Sequence, residues 1–260
     1  MRFLLFVFLL MLSTMSPNGP VFCFCKAIPA NANRDDVGPR RLYRHKSVSS
    51  TRSPFVAGMK KDWGSSVNTT SGALYLNHLE KRIVIEMNKV RSDPAGYARI
   101  HLSGLRRDFV GNRLILPGKI PLVTKEGVKA VDECFDFLIK QKPKPVLAPK
   151  KGLTLAAQDH VLDQGKTGDF GHTGSDKSTL GIRLSRYGDW GVKCAENISY
   201  GIDEAGMIVS FLLIDDGVKF RTHRFNIMDG SFRFTGVAFG PHPKLRNVCV
   251  IVFAGDYKDK

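Results

Sequence analysis

The chain has 260 residues, 43% of them hydrophobic, with 39 Lys or Arg against 24 Asp or Glu and a formal net charge of +15. This length allows one or two domains around a buried core. The positive balance suits an anionic partner, such as an acidic membrane or a glycan, but the basic residues are scattered and form no recognition helix or aromatic–basic motif, which argues against nucleic acid.

At the start of the chain, Met1-Arg2 precedes the apolar run Phe3–Leu12. A positive n-region and a short apolar core have the form of a secretory signal, and the run is too short to span a bilayer comfortably. Cleavage after Ala27 is expected, with an uncleaved anchor as the alternative, and no later segment is apolar enough to cross a membrane. Residues 28–75 are rich in Asn, Ser, Arg, Pro and Gly and read as a disordered basic linker or pro-segment. Asn68-Thr69-Thr70 is a glycosylation sequon in an exposed-looking stretch, whereas Asn197-Ile198-Ser199 lies in a motif expected to be buried and unused.

Apolar periodicity begins at Leu76. Leu76, Leu79, Ile83, Met87 and Val90 share one helical face, and Asp93-Pro94 ends it. Residues 106–118 read as loop. A second helix is expected after Thr124 as N-cap, with Val128, Val131, Phe135 and Leu138 inward. A third runs from about Leu153 to Gln164 and stops at Gly165. A shorter one covers Thr179 to Tyr187, and another Asp203 to Ile214. The period then changes: Thr235–Gly240 and Val248–Phe253 read as strands joined by a hairpin loop over 241–247, and Glu196–Tyr200 as a third strand. Helices before and around an antiparallel sheet define an α+β layered fold, covered on both faces.

Five cysteines are present: Cys23, Cys25, Cys134, Cys194 and Cys249. Cleavage near Ala27 leaves three in an oxidising setting, for which one disulfide and one thiol is the simplest arrangement. Cys194 with Cys249 is the preferred pair, and three buried thiols are the alternative.

The chemistry-bearing residues cluster in the last third. They are Gly171-His172-Thr173-Gly174, Cys194-Ala195-Glu196-Asn197-Ile198 and Thr222-His223-Arg224-Phe225-Asn226-Ile227, with Asp215-Asp216 ahead of the last. Two histidines and two carboxylates suit zinc or a similar divalent cation, or proton transfer. A buried hydrogen-bonded pair of His223 and Glu196 that organises a cleft is the alternative. His160, on a helix with Ala156 and Ala157, reads as a packed or surface histidine. There is no His-Glu-x-x-His and no Gly-x-Ser-x-Gly motif.

Together with residues 88–98 (Asn88-Lys89-Val90-Arg91-Ser92-Asp93-Pro94-Ala95-Gly96-Tyr97-Ala98) and Leu155-Ala156-Ala157-Gln158-Asp159-His160, these segments resemble the CAP superfamily. This is the group of cysteine-rich secretory, antigen 5 and plant pathogenesis-related proteins, also called SCP domains. The likeness runs over about residues 76–258 and is closer to the SCP-like branch of bacteria and protists. It implies a three-layer α-β-α sandwich with a central antiparallel sheet and a cleft lined by two histidines and two acids. Carried over, the metal positions are His172, Glu196, Asp215 and His223, with Asp216 second to Asp215. The chain departs from the pattern at Ala195, where the family usually has Gly, and in lacking a Trp near Phe211. Members have been linked to sterol or lipid binding and to host defence, so a secreted lipid-binding or extracellular interaction module is the expected function. The alternative is a metal-dependent peptidase with Glu196 as general base.

Overall fold

In the computed structural model, which describes residues 26–27, 61–119 and 121–260, the chain forms β1 (Lys26–Ala27), α1 (His78–Ser92), α2 (Pro94–Tyr97), β2 (Phe109–Val110), β3 (Arg113–Leu114), β4 (Leu122–Val123), α3 (Val128–Ile139), β5 (Ala148–Pro149), α4 (Lys151–Thr167), α5 (Leu180–Tyr187), β6 (Gly188–Tyr200), α6 (Ala205–Ile214), α7 (Thr222–Met228), β7 (Phe234–His242) and β8 (Arg246–Asp259). Apart from residues 26–27, the expected signal segment and residues 28–60 of the expected linker lie outside the described residues. Among the described residues no helix is long and apolar enough to cross a membrane.

Local chemistry sets the helix ends. Asn77 and Glu80 form a reciprocal capping box at the start of α1, with Asn77 Oδ1 3.0 Å from the Glu80 amide and Glu80 Oε2 2.8 Å from the Asn77 amide. Pro94 stops the helix, and Asp93 caps the next turn by accepting from the Gly96 amide at 2.8 Å. Thr179 caps α5. Glu204 caps α6 through the Gly206 and Met207 amides.

The principal sheet has the order β5-β7-β8-β6. β7 and β8 form an antiparallel hairpin, and β6 pairs antiparallel to β8 in the register Glu196↔Val252 and Tyr200↔Val248. β6 is therefore an edge strand. On one face, Leu153, Ala157 and Leu184 from α4 and α5 pack on Ile198, Val250 and Val252. On the other, Ile83, Val131 and Ile208 from α1, α3 and α6 pack on Val237, Ile251 and Phe253. These are the three layers of an α-β-α sandwich. Helix α4 lies almost on the strand backbone: a Cβ on Gly236 would stand 2.2 Å from the Leu153 carbonyl carbon and 2.3 Å from the Thr154 nitrogen.

Several expectations shift. The sheet is mixed, because the two-residue β5 runs parallel to β7. Within the expected linker, residues 61–75 include packed positions: Val67 and Ala73 are buried, and Trp63 packs against the core. Residues 106–118 contain β2 and β3, which with β4 and β1 make a second small sheet. Thr124 does not cap α3; Gly127 holds that position, and Thr124 Oγ1 bonds the Asn112 carbonyl at 2.9 Å. Helix α4 runs through Gly165 and ends at Gly168, whose left-handed backbone (φ 71°) closes it. Strand pairing runs out to His242 and Arg246, leaving a shorter loop than 241–247.

The expected Cys194–Cys249 disulfide is absent, and Cys134, Cys194 and Cys249 are all free thiols. Cys194 pairs in register with Ala254, five positions along β8 from Cys249. At about 3.3 Å per strand residue that is roughly 16 Å, beyond the ~7 Å Cα limit of a disulfide. Cys134 and Cys249 sit in the core instead, where burial pushes the Cys134 thiol up to about 12 and the Cys249 thiol far above its usual range.

Candidate functional site

His172 is set by the residue before it. Gly171 has φ 96°, a conformation that favours glycine. Its carbonyl accepts from His160 Nε2 at 2.7 Å and from Gln164 Nε2 at 2.6 Å, both on α4, and its amide donates to the Tyr200 hydroxyl at 3.1 Å. Tyr200 in turn donates to Gln164 Oε1 at 2.9 Å. His160, fully buried, is thus a packed histidine that anchors the His172 turn. Burial holds its imidazole below the usual range.

His172 Nδ1 lies 2.8 Å from Glu196 Oε1, so the ring donates to the carboxylate. The other oxygen, Oε2, accepts from Arg183 at 2.8 Å. Arg183 also donates to the carbonyls of His172 and Ser178 at 3.2 and 3.0 Å. Both partners of the Arg183–Glu196 pair are at most 2% exposed, whereas the His172 side chain is 32% exposed. Burial pushes the Glu196 carboxyl up, but the His172 hydrogen bond and the Arg183 charge outweigh it and hold the group below the usual carboxylate range.

The second pair sits between α6 and α7. Asp215 takes the left-handed conformation at the end of α6 (φ 57°), which turns its carboxylate back on the next helix. Its Oδ1 lies 2.6 Å from His223 Nδ1, and its Oδ2 accepts from the His223 amide at 2.9 Å. Arg221 donates to the Asp215 carbonyl at 2.7 Å and grips Glu126 and Glu133, while Arg224 binds the carbonyls of Leu213 and Ile214. These contacts fix the turn to α3. Asp216, the other acid considered, is elsewhere: its carboxylate accepts from the Lys125 and Glu126 amides at 2.6 and 2.8 Å.

The four expected residues form two His–acid pairs, His172 with Glu196 and His223 with Asp215. Glu196 shares its face with Ile198 and Tyr200, under α4 and α5. Asn197, one residue on, points the other way and donates to the His223 carbonyl at 3.0 Å. Its Oδ1 accepts from Asn226 at 2.8 Å, a tie across to α7. Among the described residues no three His, Cys, Asp or Glu side chains form a metal-holding group. Each histidine spends Nδ1 on its carboxylate, and neither Nε2 has a hydrogen-bond partner among the described residues.

Sequence reasoning missed Arg183, Asn197, Arg221 and Arg224. Arg183 is one of 39 basic residues, and only its place on the buried side of a short helix beside Leu184 sets it apart. Asn197 and Arg224 lie within segments that carry the family resemblance, where Asn197 was assigned only a sequon and Arg224 no role.

The model of the cysteine-rich secretory protein family, CAP, matches residues 86–257, and the chain belongs to that family. No curated protein sequence matches it. Among solved structures, an outer surface protein of Borrelia burgdorferi is 18% identical over 44% of this chain and 78% of that one, with a TM-score of 0.36. An extracellular SCP-domain protein of Bacillus anthracis is 19% identical over 49% and 38%, with a TM-score of 0.35. A cysteine-rich secretory protein of Staphylococcus aureus is 13% identical over 55% and 46%, with a TM-score of 0.33. This chain therefore spans less than half the length of the last two.

Proposed function

We propose that this is an extracellular binding domain, in which His172 and His223 hold a divalent cation, zinc by donor chemistry, and a separate apolar pocket takes a lipid or sterol. The observation that carries the reading is the full engagement of both acids. Glu196 is bonded on one oxygen by His172 and on the other by Arg183, and Asp215 spends both oxygens on His223. A general base needs a free lone pair aimed at the proton it takes and a pKa near the working pH. Glu196 has its pKa held low, and every carboxylate oxygen of the two acids already accepts a hydrogen bond. What stays available is the Nε2 of each imidazole. Carboxylate-backed imidazole is the arrangement that metal-binding histidines adopt, with the carboxylate fixing the tautomer. The site proposed is therefore two imidazoles with water completing the shell rather than a closed four-ligand cage.

Support for an amphiphilic ligand comes from a cavity of about 300 Å³ at the end of the sheet. Leu122, Ile202 and Met207 give it apolar walls, and Lys119 and Arg246 flank Asp203 at its rim, each 3.8 Å from that acid. One net positive charge over an apolar floor, on a chain of net charge +15, suits an anionic amphiphile or an acidic lipid surface.

Binding of the full chain to a fluorescent fatty acid, to cholesterol and to phosphatidylserine vesicles tests this part of the reading. Saturable binding weakened in a Met207→Asp variant is expected. No binding to any of the three contradicts it. Chelator-sensitive peptide hydrolysis lost in Glu196→Gln would establish the hydrolase alternative instead.

A further inference from the structure

The two Asn-x-Ser/Thr sequences are placed in opposite ways. Asn68 is exposed, at the end of a single 3-10 turn (Ser65–Val67). Its Oδ1 accepts from the Thr70 amide at 3.2 Å and from the Thr70 hydroxyl at 2.9 Å, while its Nδ2 has no hydrogen-bond partner among the described residues. Thr70 thus grips the oxygen and leaves the nitrogen open to solvent. Asn197 is fully buried; its Nδ2 is spent on the His223 carbonyl and its Oδ1 on Asn226.

We infer that Asn68 is an N-glycosylation site and that Asn197 is not. The inference rests on the extracellular reading above, since the modification belongs to secreted chains. In the transfer, Asn68 Nδ2 bonds to the anomeric carbon of a lipid-pyrophosphate oligosaccharide, the lipid pyrophosphate leaves, and the amide nitrogen gives up one proton. A glycan on Asn197 would displace the contact that joins β6 to α7, so the fold cannot hold one.

The position also says where the glycan is attached. Thr69, next to Asn68, donates to the Leu147 carbonyl at 2.7 Å, and Asn88 Nδ2 reaches both Thr69 Oγ1 and Leu147 at 3.1 Å. Leu147 leads into β5, the edge of the sheet opposite β6. The sugar is thus attached beside β5, at the sheet edge opposite β6.

The test is expression of the full chain in a eukaryotic secretory cell, in one arm as it stands and in the other behind an independent secretory leader. Intact mass and peptide N-glycosidase digestion give the readout. A single N-glycan is expected, lost in both Asn68→Gln and Thr70→Ala and retained in Ser199→Ala. Leader-driven protein in the medium with Asn68 unmodified, or with sugar on Asn197, overturns the inference. Glycosylation in the leader arm alone supports the site while overturning the extracellular reading of the natural chain.

Discussion

The guanidinium of Arg183 stands 2.8 Å from Glu196 Oε2, with 1% and 2% of the two side chains exposed. A charge pair taken so completely out of water is held together by what each partner would lose alone. Removing one member leaves the other buried and uncompensated, at a cost of about 3–5 kcal/mol. Arg183→Leu is therefore expected to lower unfolding stability by that amount, measured by urea titration. Arg183→Leu combined with Glu196→Leu is expected to recover much of it. Because the folded Glu196 carboxyl lies below its unfolded value, its contribution is present above the unfolded pKa and is lost as pH falls through the folded one. The Arg183→Leu variant should thus show a smaller acid loss at this site than the wild type.

Asp215 and Asp216 are adjacent in sequence and separate in role. Asp215 backs His223, while Asp216 ties the loop before α3. Asp215→Asn is expected to weaken cation binding about 10–100-fold, the usual effect of losing a carboxylate behind a metal-bound imidazole. Asp216→Asn is expected to lower stability and leave cation affinity unchanged. Titration calorimetry with zinc, beside melting curves, separates the two.

His101 stacks on Tyr97 with ring centroids 4.1 Å apart, beneath Trp63. Burial, aided by the Lys89 charge and opposed by Glu204, pushes its pKa down to about 4. The folded value lies below the unfolded one, so the unfolded chain takes the proton first. Stability is then complete above about pH 6.5 and falls as pH drops toward 4, by roughly 3 kcal/mol for this group. His101→Phe is expected to keep the stack and to lose that much less stability between pH 7 and pH 4.

Gly236 has no room for a methyl group, because α4 backbone atoms occupy the place of its Cβ at 2.2 and 2.3 Å. Gly236→Ala is expected to push α4 off β7 and to cost at least the ~1–3 kcal/mol of ordinary overpacking. A melting temperature equal to the wild type would show that α4 and β7 are not in contact as described.

Much of this architecture was legible in the chain. The face of α1 follows from Leu79, Ile83, Met87 and Val90, and β7 differs from expectation by one or two residues at each end, whereas β8 runs six residues further and β6 begins eight residues earlier than expected. What escaped were elements too short to show a period: β2, β3, β4, β5 and α7. Gly165 reads as a stop, yet it sits inside α4, where a Cβ would meet the Pro241 carbonyl oxygen at 2.9 Å. At the site, the resemblance to the CAP superfamily pointed to His172, Glu196, Asp215 and His223 but not to how they pair. The opposite faces of Glu196 and Asn197 follow from strand alternation, whereas Arg183 arrives from another element and has no local signature. The missing disulfide has the same origin: spacing in sequence says nothing of the register that sets Cys194 against Ala254.

The central claim is that His172 and His223 bind a cation while their carboxylates only orient them. Zinc titration of the full chain by calorimetry, against His172→Ala, His223→Ala and Glu196→Gln, tests it directly. One zinc per chain is expected, abolished in each alanine variant and weakened but retained in Glu196→Gln, where an amide can still meet the ring. Zinc affinity unchanged in both alanine variants would contradict the account.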